Sequence, residues 1–285
     1  MDSCVKNLGF MIPDKPYIQL RFRFNLGYWP NLKNPKTFNE KLNWLKLYNR
    51  KRMYTNMVDK KAVKVIIANL IGEEYIIPTI GMWDSPNDIN WDALPNQFVL
   101  KTTHGGGGCG VVVCSNKDIF DKSKAISKLI DSMKSDIYSE LREWPYKNVE
   151  KKIIAEAFLD TKGKELNDYK FFCFNGKVHC FKVDFGRFVE HHANYYATDG
   201  SLLPFGEKVC TPDPLYEVSM PENLQEMIAI AEKISNGHPF LRVDLYNLDG
   251  KIYFGETTFF PAGGIGQFTD KAWDLKLGEL INITD

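Results

Sequence analysis

Apolar positions recur along this chain with two alternating periods, about 3.6 residues and 2 residues, so helices and strands should interleave throughout. Thr37 followed by Glu40 has the form of a capping box and opens an expected helix through Leu42, Leu45, Leu47 and Tyr48. A second helix is expected to begin near Asp59 and carry Ala62, Val63, Ile66, Ile67 and Leu70 before Gly72 stops it. Residues 75–78 read as a short strand and 81–95 as a loop-rich connection. Phe98-Val99-Leu100-Lys101 and Val111-Val112-Val113-Cys114 read as strands flanking a glycine-rich loop, which makes them a hairpin. Helical spacing from about 121 to 143 breaks at Trp144-Pro145, and 153–159 is an apolar strand.

The second half predicts mostly antiparallel strands. Stretches at 168–174, 176–183 and around Tyr195-Tyr196 follow one another, with Asn175-Gly176 a strong two-residue turn. A helix at about 222–235 precedes strands at 240–246 and 251–256, joined through Asn247, Asp249 and Gly250. The fold class is therefore α+β. The expected division is an N-terminal α+β region at 1–95, a small hairpin-bearing subdomain at 96–155, and a larger antiparallel lobe at 156–285.

Lys plus Arg and Asp plus Glu number 36 each in 285 residues. With no net field, nucleic acid is not an expected partner, and any phosphate must be held by a local site. No apolar run approaches the roughly 20 residues of a membrane span, and the opening residues lack a signal-peptide core, so a cytoplasmic location is expected. The six cysteines show no CxxC pair and no histidine-rich spacing, so zinc is not expected.

Three segments carry chemistry. Gly105, Gly106, Gly107, Gly108 and Gly110 would let backbone approach a polyphosphate, with Lys101 just upstream; a plain surface loop is the competing reading. Neither Gly-Lys-Ser/Thr nor a helix follows, which excludes a P-loop and a dinucleotide fingerprint. Alternation places Arg242 and Asp244 on one strand face, and the hairpin brings Asp244 towards Glu256. Paired carboxylates beside an arginine suit Mg2+ and phosphates, against a simple Arg242–Glu256 ion pair. Glu156-Ala157-Phe158-Leu159 is, from its residues alone, a core strand.

Taken in order, these segments resemble the ATP-grasp superfamily. Asn34-Pro35-Lys36-Thr37-Phe38-Asn39-Glu40, Asp59-Lys60-Lys61, Asp168-Tyr169-Lys170 and Gly255-Glu256-Thr257-Thr258-Phe259-Phe260-Pro261-Ala262 are similar to the TupA-like, teichuronopeptide-biosynthesis branch of bacterial surface-polysaccharide loci. The resemblance implies an ATP-grasp fold, with a small lid subdomain and a larger lobe enclosing ATP. It implies that Lys60 and Lys101 contact ATP phosphates, that Gly105, Gly106, Gly107, Gly108 and Gly110 cover them, and that Glu156, Ala157, Phe158 and Leu159 form the adenine hinge. Lys170 or Arg242 would stabilise the transferring phosphoryl group, and Asp244 and Glu256 would hold Mg2+. Thr258 stands where an asparagine usually supplies a further metal ligand.

The implied activity is ATP-dependent amide formation through an acyl phosphate, joining an amine donor to a carboxylate sugar or polysaccharide precursor, either lipid-linked at the inner membrane face or carried as a nucleotide sugar. A glycosyltransferase is the competing enzyme class, although no Asp-x-Asp occurs; a degenerate nucleotide-binding protein is the non-catalytic alternative. Lys182, Asp184, Arg187, His191, His192 and Asn194 form a polar cluster equally readable as substrate contacts or as an ordinary surface loop, with Arg187 suited to clamp a carboxylate. Phe22, Phe24, Tyr28 and Trp29 are expected in the core.

Overall fold

The computed structural model describes residues 12–163, 166–186 and 190–283. Its packing divides the chain into two compact units, one of 1–50 with 163–285 and one of 51–162.

The first unit opens with α1 (Asp14–Leu26), which ends where Gly27 turns left-handed at φ 85° and its N–H donates to the Arg23 carbonyl. Phe22 is buried, whereas Phe24 and Trp29 are more than half exposed, so the aromatic stretch is only partly core. The capping box forms as expected: Glu40 N–H donates to Thr37 Oγ1, and Thr37 N–H to the Glu40 carboxylate, starting α2 (Phe38–Tyr48).

The second unit follows with α3 (Met53–Val58) and α4 (Ala62–Ile71). Of the strand expected at 75–78, Tyr75 closes a 3₁₀ turn (Glu73–Tyr75), and β1 (Thr79–Trp83) begins just beyond it and runs into the stretch expected to be loop. Pairing with β4 is what selects the later segment. Next come β2 (Phe98–Thr102), β3 (Val111–Cys114), α5 (Lys122–Lys134), α6 (Ile137–Leu141) and β4 (Ile153–Ala157). The helical stretch breaks earlier than expected, because Ser135 is extended and Asp136 caps a new helix by accepting from Ser139 N–H at 3.0 Å. The four strands form an antiparallel sheet in the order β1-β4-β2-β3. Phe98, Leu100, Leu129, Ile153 and Ala155 fill its core.

The chain then returns to the first unit through β5 (Asp168–Phe174), β6 (Lys177–Phe185), β7 (His192–Ala197), α7 (Leu224–Ser235), β8 (Phe240–Leu248), β9 (Lys251–Thr258) and α8 (Ala272–Glu279). Asn175 and Gly176 both have positive φ, 50° and 79°, as a hairpin turn matched to strand twist requires. The antiparallel sheet runs β7-β6-β5-β8-β9.

Its two faces differ. Cys173 points at α7, where its thiol donates to the Ala231 carbonyl, and this face is apolar. On the other face Phe172, Phe174 and Phe240 pack around Phe38 from α2, with the Phe38 and Phe240 rings 4.9 Å apart. Each ring buried this way contributes roughly 1.5–3 kcal/mol. That aromatic end anchors a face whose remainder is charged. One irregularity matters there: Asp244 pairs with Glu256 but Leu245 pairs with Phe254, so Gly255 is an extra, bulged residue.

Candidate functional site

On the charged face, strand register aligns one residue from each of four neighbouring strands. Lys182 opposes Lys170, Lys170 opposes Asp244, and Asp244 opposes Glu256. Asp168 and Asp184 form the adjacent cross-strand pair, and Arg242 opposes Thr258. Sequence alternation had placed Arg242 with Asp244, and their contact follows: Arg242 Nε donates to Asp244 Oδ1 and Nη2 to Oδ2, both at 2.7 Å, while Nη2 also reaches Glu256 Oε1 at 3.1 Å. The competing ion pair is thus present, and it is made by carboxylates that were expected to hold metal.

Lys170 is buried among three aspartates. Its ammonium donates to Asp168, lies 3.2 Å from Asp184 Oδ2 and 3.4 Å from Asp244 Oδ2. Burial alone would lower its pKa, yet the aspartates outweigh burial and raise it, so Lys170 stays a cation. Arg242 is held charged by the same logic, chiefly through Asp244. Burial is also the main influence on Asp244 and raises its pKa against the pull of Arg242 and Lys170. Lys182 turns mainly to Glu207, 2.7 Å away; burial pushes the Glu207 pKa up, but Lys182 brings it below the ordinary value. Carboxylates outnumber cations across the cluster. The donor set of Asp244, Glu256 and the neutral Thr258 hydroxyl is all hard oxygen, which fits Mg2+.

The other unit assembles a second cluster. Glu156 on β4 is 4% exposed, and its two oxygens each meet an ammonium at 2.5 Å, Lys64 of α4 and Lys101 of β2. Lys64 also donates to the Ile77 carbonyl and to Thr79 Oγ1. Burial is the largest influence on Glu156 and raises its pKa, but the lysines together hold it below the ordinary 4.5. Lys60 N–H donates to the Thr103 carbonyl at 3.0 Å and its ammonium to the Gly105 carbonyl, so it sits at the base of the glycine loop.

The loop closes on itself. Thr102 N–H donates to the Gly110 carbonyl and Val111 N–H to Gly108, while Gly107 and Gly108 take positive φ. A Cβ at Gly105 or Gly110 would collide with Thr102 Oγ1, which is tied to Ser132 Oγ at 2.9 Å. His104 is a structural residue of this loop, its ring nitrogen bonded to the Ser132 carbonyl. β4 ends at Ala157, so Phe158 and Leu159 lie just past the strand expected to contain them. Ala157 N–H is taken by the Pro78 carbonyl, and Ala157 and Phe158 line a hollow of about 350 Å³ with Ile80, Pro95, Asn96 and Gln97.

Sequence reasoning treated Glu156 as backbone only and missed Lys64 and Glu207. Nothing in the local pattern marks a carboxylate whose partners lie on another strand and a helix. Arg187 lies outside the described residues.

A family model described as TupA-like ATPgrasp matches residues 40–282. No curated protein matches this chain. Among solved structures, the D-alanine–D-alanine ligase of Helicobacter pylori is similar at 14% identity and TM-score 0.43, over 86% of this chain and 69% of that one. D-alanyl-alanine synthetase A of Vibrio cholerae O1 biovar eltor is similar at 13% identity and TM-score 0.46, over 78% and 62%. The ATP-grasp ligase PsnB, solved with a minimal precursor, Mg and ADP, is similar at 12% identity and TM-score 0.40, over 77% and 57%. This chain thus spans less than two thirds of the length of the latter two.

Proposed function

This chain belongs to the TupA-like ATP-grasp family, which makes it an ATP-grasp enzyme of the carboxylate–amine ligase class, and we propose that it activates a carboxylate as an acyl phosphate for attack by an amine. The acceptor is a uronic acid or acidic group of a bacterial capsule or surface-polysaccharide precursor, and the donor is an amino acid or amino alcohol. In this reading the work is done in the cytoplasm, where ATP is supplied. Among the described residues no helix is long and apolar enough to cross a membrane.

The observation that carries this reading is the aligned charged row of Lys170, Asp244 and Glu256 with Arg242 clamped across the last two. Asp244 and Glu256 would hold Mg2+, with Thr258 beside them; Mg2+ bound there supplies charge neutralisation for ATP phosphates. Lys170 and Arg242 keep their positive charge in a buried setting, where fixed cations stabilise a moving phosphoryl group without reorganising. Lys60, Lys101 and the glycine loop contribute backbone and ammonium groups to the phosphates, and 156–159 receives the adenine. In this division of labour 96–155 serves as the lid subdomain and 156–285 as the metal-holding lobe. Arg187 orients the acceptor carboxylate.

The test is ADP and phosphate release from Mg-ATP across a panel of uronic acids and amino acids, with Glu256→Gln alongside. Release that needs both an acid and an amine and vanishes in the variant supports the ligase. Nucleotide binding without turnover across the panel would favour a degenerate binding protein, and absence of nucleotide binding would remove the reading altogether.

A further inference from the structure

A different donor set lies at the β6–β7 end of the same sheet. Asp184, at the end of β6, His191, just before β7, and Cys210, in the loop that follows β7, bring a carboxylate oxygen, a ring nitrogen and a sulfur within 4.8 Å of one another. We infer that these residues bind a borderline divalent transition metal, with Zn2+ the foremost candidate.

The scaffold that positions them is already in place. Ala193 N–H donates to the Thr211 carbonyl, Asn194 Nδ2 donates to the Asp213 carbonyl, and Asp213 N–H returns a bond to Asn194 Oδ1. These contacts stitch the loop to β7 and set the buried Cys210 thiol 3.5 Å from the His191 carbonyl. Asp184 divides its oxygens. Oδ2 faces Lys170 at 3.2 Å, and Oδ1 faces His191 Nε2 at 3.9 Å. Lys182 lies 3.7 Å from Oδ1, but its closer partner is Glu207 at 2.7 Å, which neutralises it.

Tetrahedral zinc with bonds of about 2.0–2.3 Å needs ligand atoms roughly 3.3–3.8 Å apart. The triad must contract by about 1 Å, and the His191 side chain, 46% exposed, has the freedom to do it. Binding exchanges the thiol proton for a sulfur–metal bond: one proton leaves, no electron is transferred, and a fourth position stays open to water. Sulfur and imidazole select zinc over magnesium, whereas Asp244 and Glu256 offer only oxygen, so the two sites sort their metals by donor softness. Asp184 joins them, because its second oxygen belongs to the Lys170 cluster.

The test uses the full chain, stripped with a chelator and titrated with Co2+ alone. One equivalent should bind and produce the near-ultraviolet charge-transfer absorption of a cobalt–thiolate bond, which one equivalent of Zn2+ should erase and excess Mg2+ should not. Cys210→Ser should lose the band, and Cys109→Ser, which removes an exposed thiol, should keep it. His191→Ala, a change at an exposed side chain, should weaken Co2+ binding at least about a hundredfold, since even partners of metal ligands are worth about 10–100-fold. A wild-type chain without the band, a band that survives Cys210→Ser, or undiminished affinity in His191→Ala each overturns the assignment.

Discussion

The two units bury charge with opposite imbalances. In the unit of 51–162, one carboxylate, Glu156, is shared by the ammonium groups of Lys64 and Lys101. In the other unit, carboxylates crowd around Lys170, Lys182 and Arg242 and outnumber them. A buried cluster must end near neutrality to be tolerated, so each imbalance indicates the charge of what it would receive. Surplus ammonium suits an anion such as a polyphosphate, and surplus carboxylate suits a divalent cation. The same residue types thus build buried clusters suited to opposite charges.

Removing the shared carboxylate should have the largest effect on folding. Glu156→Gln leaves two largely buried lysines facing each other and should lower unfolding stability by about 3–5 kcal/mol, read by denaturant melts. The pH dependence has a definite sign. Glu156 has a pKa below the ordinary 4.5 when folded, so between the two values the unfolded chain binds more protons. The stability lost in Glu156→Gln should be constant above pH 4.5 and shrink as pH falls through the folded-state value. A gap unchanged in acid would mean that Glu156 is not held ionised by its lysines.

Next in size is the cation-hungry cluster. Glu256→Gln should reduce ATP turnover about 10²–10³-fold, the scale of losing one charge-positioning group in a preorganised site. Its melting temperature should move little, because the Glu256 side chain is a third exposed and Arg242 keeps its two bonds to Asp244. If the two effects were reversed, with folding lost and turnover kept, the acidic row would be structural only. The smallest expected effect is at Lys101→Met, which should weaken ADP binding about tenfold without Mg2+ present, equivalent to about 1.4 kcal/mol by titration calorimetry. Equal ADP affinity in Lys101→Met and wild type would separate the ammonium surplus from nucleotide binding.

These clusters mark how far the sequence can be read. Local chemistry sufficed for α2, for the Asn175-Gly176 hairpin and for Arg242 beside Asp244, since a capping box, a two-residue turn and period-2 alternation are all short-range. It failed at α1, where Arg21-Phe22-Arg23-Phe24 alternates unlike a helix, and at β1, which exists only because β4 lies beside it. Lys64, Glu156 and Lys101 were invisible as a group because α4, β4 and β2 meet only after the sheet has set its register. Glu207 and Cys210 belong to a loop whose position depends on its bonds to neighbouring strands, and no spacing along the chain encodes that.

Gly255 records how the acidic row and the apolar face share one strand. Two residues apart on an unbulged strand, Phe254 and Glu256 would share a face; the extra residue sets Phe254 opposite Leu245 and Glu256 opposite Asp244. The strand's parity is thus inverted at one point, sending an aromatic ring to one side and a carboxylate to the other. No side chain fits comfortably at the inversion, since a Cβ there would stand 3.0 Å from the Asp244 carbonyl oxygen. In evolutionary terms the bulge reads as a one-residue insertion absorbed where it occurred. Losing the Gly255 codon would leave Phe254 and Glu256 as neighbours on a regular strand, still opposite Leu245 and Asp244. A further insertion or deletion between Glu256 and Thr258 that the strand did not absorb as a bulge would instead part Glu256 from Thr258 across the sheet's two faces.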